Sequence, residues 1–410
     1  MADSTALLRL LDEAADGARI DAGRRVNIAT RTSHRIAEVE SLWRSLEAGG
    51  IESPGQSFDF TRVWVETQKI AEADQFYIIG EIAGAPVALL PLHRKSVKGV
   101  RQLAWFPGSH VGCNAPLVDR ARLASLSAEQ RQSLWQSMLA AAKGVDMVYL
   151  RAVPEILVDG VDLFAELGTS LVGETLYRAQ FESWEQANTT QRSKSRRKHD
   201  RQQGEKLEAM GEVAFEELTG GPDAVAVLDI MFRQRAARFV EMGVSDPFCT
   251  QQIRDFYDAT VAPGSAVDVR LHALRLNGQI VALRYNIAHG DRLFCLISSM
   301  SVDPAIQPGS PGKQCLLRVM QTVFDTGYRT FDMGNGFTDE KRHWCNVQIP
   351  VRQHYIALTP LGRLASSLHQ TWQVGRKRIK ENKQLLGFIK SVRSRMQKAK
   401  AETKASDTED

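Results

Sequence analysis

Residues 271–288, LHALRLNGQIVALRYNIA, decide the fold. Asn277 and Gly278 stand between two runs of alternating apolar residues. Asn-Gly in that setting is the strongest short hairpin signal, because the favoured two-residue turn needs positive φ at both positions. A third strand is expected over residues 291–301. Gly309-Ser310-Pro311-Gly312 then opens a helix running to about Asp325, and a strand follows at residues 329–333. A glycine-punctuated turn ahead of a helix leaves backbone N–H groups free at the positive end of the helix dipole, which suits a phosphate. This is not the element order of a Rossmann or P-loop protein.

Working outward, the same arrangement recurs earlier in the chain. Ile82-Ala83-Gly84-Ala85-Pro86-Val87-Ala88-Leu89 matches Leu276-Asn277-Gly278-Gln279-Ile280-Val281-Ala282-Leu283 as a glycine hairpin followed by Val-Ala-Leu. Lys143-Gly144 precedes an apolar strand at residues 146–151, as Thr326-Gly327 precedes the one at 329–333, with glycine where a helix C-cap belongs. Order, turn chemistry and spacing agree, so the chain is read as a duplication. The expected organisation is a leader (1–25), an N-terminal α/β domain (26–185), a basic linker helix (186–210), a C-terminal α/β domain (211–365) and a basic helical tail (366–410). The second copy should run as strand 212–218, helices 222–242 and 249–261, the hairpin and third strand, helix 313–325, strand 329–333, a short helix near 339–345 and a last strand 351–358.

Composition bounds the function. With 410 residues the chain exceeds one ordinary core, and 43% hydrophobic with 24% charged residues is a globular balance. A net charge of +4 excludes a generic polyanion binder, although basic residues crowd into 192–201 and 376–400. The five cysteines form no Cys-x-x-Cys pair, which argues against zinc and against a disulfide framework and fits a reducing cytoplasm. No apolar run is long enough to span a membrane, and acidic residues interrupt the N-terminus early.

Three motifs then stand in fixed order: Ser193-Lys194-Ser195-Arg196-Arg197-Lys198; Val302-Asp303-Pro304 with Ser310-Pro311-Gly312; and Phe331-Asp332-Met333-Gly334-Asn335-Gly336 ahead of Lys341-Arg342 and Trp344. Through them the chain resembles the GNAT (Gcn5-related N-acetyltransferase) superfamily, and specifically the CelD/BcsL-type acetyltransferases associated with cellulose and other exopolysaccharide synthesis. The resemblance implies two GNAT folds in tandem, each a mixed, mostly antiparallel sheet flanked by helices, with the second one catalytic. It implies acetyl-CoA or another acyl-CoA as co-substrate, no metal, and a small-molecule or saccharide acceptor. Two departures stand out: prolines at 308 and 311 in the phosphate turn donate no N–H, and no tyrosine lies in residues 334–345 to act as general acid.

Acyl transfer needs a held pyrophosphate, a polarised carbonyl, a neutral nucleophile and a protonated leaving group. Backbone N–H groups of Gly309, Ser310, Gly312, Lys313 and Gln314, with the Lys313 ammonium, are the candidates for the pyrophosphate. The fold resemblance puts the carbonyl-polarising N–H on the strand around residues 296–300, at Ser299 and Met300. Asp332, at the C-terminal end of a strand before a glycine turn, is a candidate base or, alternatively, the cap of that turn. Glu340, Lys341 and His343 fall within about one helical turn of each other and form a candidate polar cluster, or else a solvated helix face.

The segment 192–201 carries no interleaved aromatic on which a base could stack, so it reads as a solvated interdomain helix or a site for an anionic substrate or the CoA 3′-phosphate, ahead of RNA, and nucleic acid is not expected as a partner. Ile379, Leu386, Ile389, Val392 and Met396 give the tail a basic amphipathic pattern, suited to packing on the second domain or to peripheral contact with an anionic membrane or a polysaccharide synthase. The function expected is an acyl-CoA-dependent N- or O-acyltransferase of the cytoplasm, peripheral to the inner membrane face in the sharper version. The alternatives are a Fem-type transferase using aminoacyl-tRNA and a non-catalytic GNAT scaffold.

Overall fold

A computed structural model of the protein describes residues 27–108, 110–155 and 170–381. The expected leader and the tail beyond Glu381 lie outside the described residues. In chain order the first half contributes β1 (Ile28–Ser33), α1 (Ile36–Glu47), α2 (Phe58–Thr67), β2 (Gln75–Ile82), β3 (Ala85–Val97), β4 (Val100–Trp105), β5 (Leu117–Val118), α3 (Arg120–Ser125), α4 (Ala128–Ala140), β6 (Met147–Pro154) and β7 (Ser170–Gln180). A short turn of helix, α5 (Trp184–Gln186), leads to α6 (Lys194–Glu208). The second half follows with β8 (Val213–Leu218), α7 (Pro222–Glu241), α8 (Gln251–Val261), β9 (Val269–Leu276), β10 (Gln279–His289), β11 (Arg292–Met300), α9 (Pro311–Asp325), β12 (Thr330–Asn335), α10 (Asp339–Trp344), β13 (Val347–Ala357) and α11 (Pro360–Glu381).

Local chemistry accounts for the hairpins. Asn277 and Gly278 have φ of 50° and 76°, and Leu276 pairs with Gln279 across them, the two-residue turn that right-twisted strands favour. Ala83 and Gly84 repeat it at φ of 51° and 80°, with Ile82 opposite Ala85. The last strand begins four residues earlier than the pattern indicates, at Val347, and carries Pro350 within it.

The thirteen strands of the described residues form one sheet, ordered β1-β2-β3-β4-β6-β13-β7-β12-β11-β10-β9-β8, with β5 beside β3. The two copies therefore exchange their final strands: β7 of the first half pairs with β12 of the second, and β13 of the second pairs with β6 of the first. β7 and β13 lie antiparallel to one another at the centre.

Helices cover both faces. On one, α1, α2, α7 and α8 bury a single aromatic core that crosses the midline, where Phe256 packs 5.1 Å from Phe60 and 4.9 Å from Trp64, ring centre to ring centre. On the other, Leu134, Trp135 and Met138 of α4 seal the first half, and Cys315, Leu316, Val319 and Met320 of α9 seal the second. Alternation along β10 sets the faces: Leu283, Tyr285 and Ile287 join the shared core, and Ala282 and Ala288 meet the α9 side.

Candidate active site

β11 and β12 run parallel and are paired only at Arg292–Thr330, Leu293–Phe331 and Phe294–Asp332. Beyond Phe294 the strands part, while β11 continues against β10 to Met300. Residues 295–300 thus have one edge paired and one edge open, a wedge between strands with α9 and α10 at its margins. Alternate backbone N–H groups along that stretch face the opening, because successive groups of a strand point to opposite sides.

The glycine turn at the start of α9 is not the open cradle its sequence suggests. Gly309 N–H donates to the Ile306 carbonyl, Ser310 N–H to Gln307, and Lys313 and Gln314 N–H both to Ser310, at 2.9–3.0 Å. Of the five expected donors, the Gly312 N–H alone is left over among the described residues. The turn closes on its own carbonyls, and α6 packs against it. A Cβ on Gly309 would stand 2.8 Å from Leu207 Cβ, Gln203 Nε2 donates to Ser310 Oγ at 2.6 Å, and Gln314 Nε2 donates to the Asp200 carbonyl at 2.7 Å. Carbonyls of the turn itself take these donors, and α6 fills the space in front of them. Of the two β11 candidates, Ser299 Oγ donates to Gln234 Oε1 on α7 at 2.8 Å, and Met300 lies over Gly312 at the wedge mouth.

The four candidate catalytic side chains do not converge on one point. Asp332 lies opposite Arg178 of β7 and accepts from its Nε at 2.7 Å, while its other oxygen accepts from Gly334 N–H at 2.7 Å. Arg178 donates onward to Glu52 at 2.7 Å, and Arg292 and Arg120 reach the same carboxylate at 3.2 Å and 2.8 Å. Burial alone would push Glu52 up, but these cations outweigh it and hold its carboxyl well below the usual range. Both Asp332 oxygens are engaged, one by Arg178 and one by Gly334. Asp332 is one end of a buried ion network that ties the two halves together, and it also caps its own turn.

Lys341 is committed too. Its ammonium donates to the carbonyls of Gly334, Asn335 and Gly336 at 3.2, 2.7 and 2.9 Å, using all three protons to close the turn after β12. Burial lowers its pKa, with Cys295 and Asp332 opposing. His343 pairs with Asp339 at 3.4 Å one turn back, and desolvation with Arg196 keeps it below its ordinary value. Glu340 alone faces the wedge side, where its Oε2 accepts from Arg284 Nη2 at 3.3 Å.

Arg284 is the residue that sequence reasoning missed. It stands on β10 at an inward position, 5% exposed, directly opposite Ser298 of β11. Its Nη1 lies 3.7 Å from Cys295 Sγ, and its Nε–H has no partner. A guanidinium with an unpaired buried donor is costly unless something completes it. The available signal was an arginine at a core position of an otherwise alternating strand. Burial raises the Cys295 thiol, so Cys295 is a neutral neighbour and not a thiolate nucleophile.

Residues 194–342 match the family model described as "Acetyltransferase (GNAT) domain". That segment is similar to a GNAT domain. Solved structures of similar fold include the C-terminal DUF2156 domain of a protein named as a lysylphosphatidylglycerol synthetase from Agrobacterium fabrum, 12% identical, covering 83% of this chain and 97% of that one at a TM-score of 0.50. A second is FemX, 12% identical, covering 74% and 93% at a TM-score of 0.50. At these identities the likeness is one of fold. A search of curated protein sequences gives no significant match. The matched segment comprises α6, the glycine turn, the wedge and most of α10, so it holds the side chains described above apart from His343 and those of the first half.

Proposed function

We propose that the chain transfers an acyl group from an activated donor to an amine or hydroxyl in the wedge between β11 and β12. The observation that carries this reading is the open β11 edge at residues 295–300 beside a buried Arg284 and a half-exposed Glu340. In the reaction the acceptor attacks the acyl carbon, and an open β11 N–H holds the developing oxyanion. Glu340 takes the acceptor's proton, Arg284 positions that carboxylate, and the proton passes to the leaving group as the acyl–donor bond breaks.

The donor in the first reading is acetyl-CoA or a related acyl thioester, as the family model's description suggests, with a saccharide or small amine as acceptor. On the CelD/BcsL resemblance, such an enzyme would work beside polysaccharide synthesis at the inner membrane face. A second reading, an aminoacyl ester carried by tRNA, is favoured by α6. That helix occupies the turn a CoA pyrophosphate would use, and it leaves Lys194, Lys198, Arg201 and Lys206 on its exposed side.

Hydrogen exchange of the full chain with acetyl-CoA, and separately with charged tRNA, tests the donor. The expected result is protection of residues 295–300 by one of them. Glu340→Gln should then lower turnover by roughly 10²–10⁴ with donor affinity little changed. Protection by neither donor, or an active Glu340→Gln variant, overturns the reading.

A further inference from the structure

A cavity of about 930 Å³ opens away from β11, between the central strands β6, β7 and β13 and the C-terminal part of α11. It is of the size that takes a cofactor or a disaccharide, and far larger than a bare phosphate needs. Its charge is one-sided. Arg151 from β6 and Arg376, Lys377 and Arg378 from α11 line it, against one carboxylate, Glu174. None of those four cations has an ion-pair partner among the described residues. Unneutralised cations gathered around a concavity repel one another and focus an attractive field for an anion, and the arginine fork matches phosphate oxygens two at a time.

The floor is aromatic. Tyr149 packs 4.9 Å from Tyr355 and 5.3 Å from His369, and His369 stacks on Trp372 at 5.7 Å with the ring planes 24° apart. Both tyrosine hydroxyls donate to the Gln353 side-chain oxygen, at 2.6 Å and 3.3 Å, which turns the amide N–H₂ of Gln353 outward as a free donor. Trp372 is 55% exposed, unusual for the largest apolar side chain at the rim of a formed cavity.

We propose that this cavity binds a phosphorylated saccharide, with its phosphate on Arg151 and the Arg376–Arg378 corner, its ring against Tyr149 and Trp372, and its hydroxyls on Gln353 and Glu174. The ligand can be free or carried on a lipid. Leu361, Leu364, Leu368 and Trp372 form an exposed apolar stripe along the same helix, and a lipid carrier would lie beside it. The proposal concerns binding alone and stands apart from the transfer reaction.

Calorimetric titration of the full chain with UDP-glucose is the test, with glucose and inorganic phosphate as controls and sedimentation with phosphatidylglycerol vesicles as the lipid arm. Saturable one-to-one binding of UDP-glucose, tighter than either control and weakened about tenfold or more by Arg151→Gln and by Trp372→Ala, is expected for a free ligand; loss of one charge-assisted contact has that size. Arg151-dependent vesicle binding without UDP-glucose binding shows a site for phosphate alone and overturns the saccharide assignment. Both side chains are exposed, so unchanged melting temperatures will show that the variants fold. No saturable binding in either arm, inorganic phosphate binding as tightly as UDP-glucose, or binding indifferent to both substitutions overturns the proposal.

Discussion

Arg178→Met removes the cation at the centre of the buried network and keeps most of its bulk. The consequences for its two partners differ. Glu52, 5% exposed, keeps Arg120 and Arg292. Asp332, 4% exposed, keeps only the Gly334 N–H and becomes a stranded buried charge. Breaking one side of a buried ion pair costs about 3–5 kcal/mol, and Arg178→Met is placed in that range. Adding Asp332→Asn removes the stranded charge while keeping the cap, so the double variant should recover roughly 1–3 kcal/mol of the loss, the size of coupling expected between direct neighbours. Guanidinium unfolding followed by tryptophan fluorescence, on the wild type, both single variants and the double, measures this cycle. An Arg178→Met variant within about 1 kcal/mol of wild type, a small effect by the same scale, would refute the reasoning. So would a double variant no more stable than Arg178→Met alone.

Two further outcomes follow from the geometry. Gly309→Ala puts a methyl against the Leu207 backbone and Cβ, so α6 should lift; limited proteolysis between residues 192 and 210 should quicken, and melting should fall by an amount equivalent to about 1–3 kcal/mol. Glu52, held down to about 2, contributes stability that is complete above the ordinary glutamate pKa of about 4.3 and is lost as pH falls from there toward 2. Burial lowers His93, His110 and His354 to about 4, so their contribution is lost earlier, between about pH 6.5 and 4. Glu52→Gln should therefore flatten the melting-temperature profile below about pH 4 and leave the upper slope in place.

The hairpins, the order of elements in the second half and the duplication were legible because each rests on chemistry contained within a few neighbouring residues. Asn277-Gly278 dictates its turn wherever it occurs, and α7, α8 and α9 carry their own apolar spacing. The surroundings of Asp332 were not legible, since its cation stands at position 178, shared there with Glu52, and nothing local distinguishes a base from one end of a distant ion pair. The glycine turn was legible as a turn, but not its closure onto its own carbonyls or the packing of Leu207 and Gln203, a hundred residues earlier, against it. Arg284 could have been found, as a charge where the strand pattern calls for an apolar side chain. The exchange of β7 and β13 had no signal, because either strand satisfies the alternation of either half.

That exchange governs how the chain can be made. As it leaves the ribosome, the first half arrives with an edge of β6 open, and the strand that closes it begins only at Val347. At ordinary elongation rates of 5–20 residues per second the gap of roughly 190 residues corresponds to about 10–40 s. Throughout that interval a bare, apolar strand edge is available to any other chain that can add to it. The nascent protein is therefore most vulnerable to aggregation when it is half made, and a stop codon anywhere before β13 leaves not a smaller working domain but a sheet open along its middle.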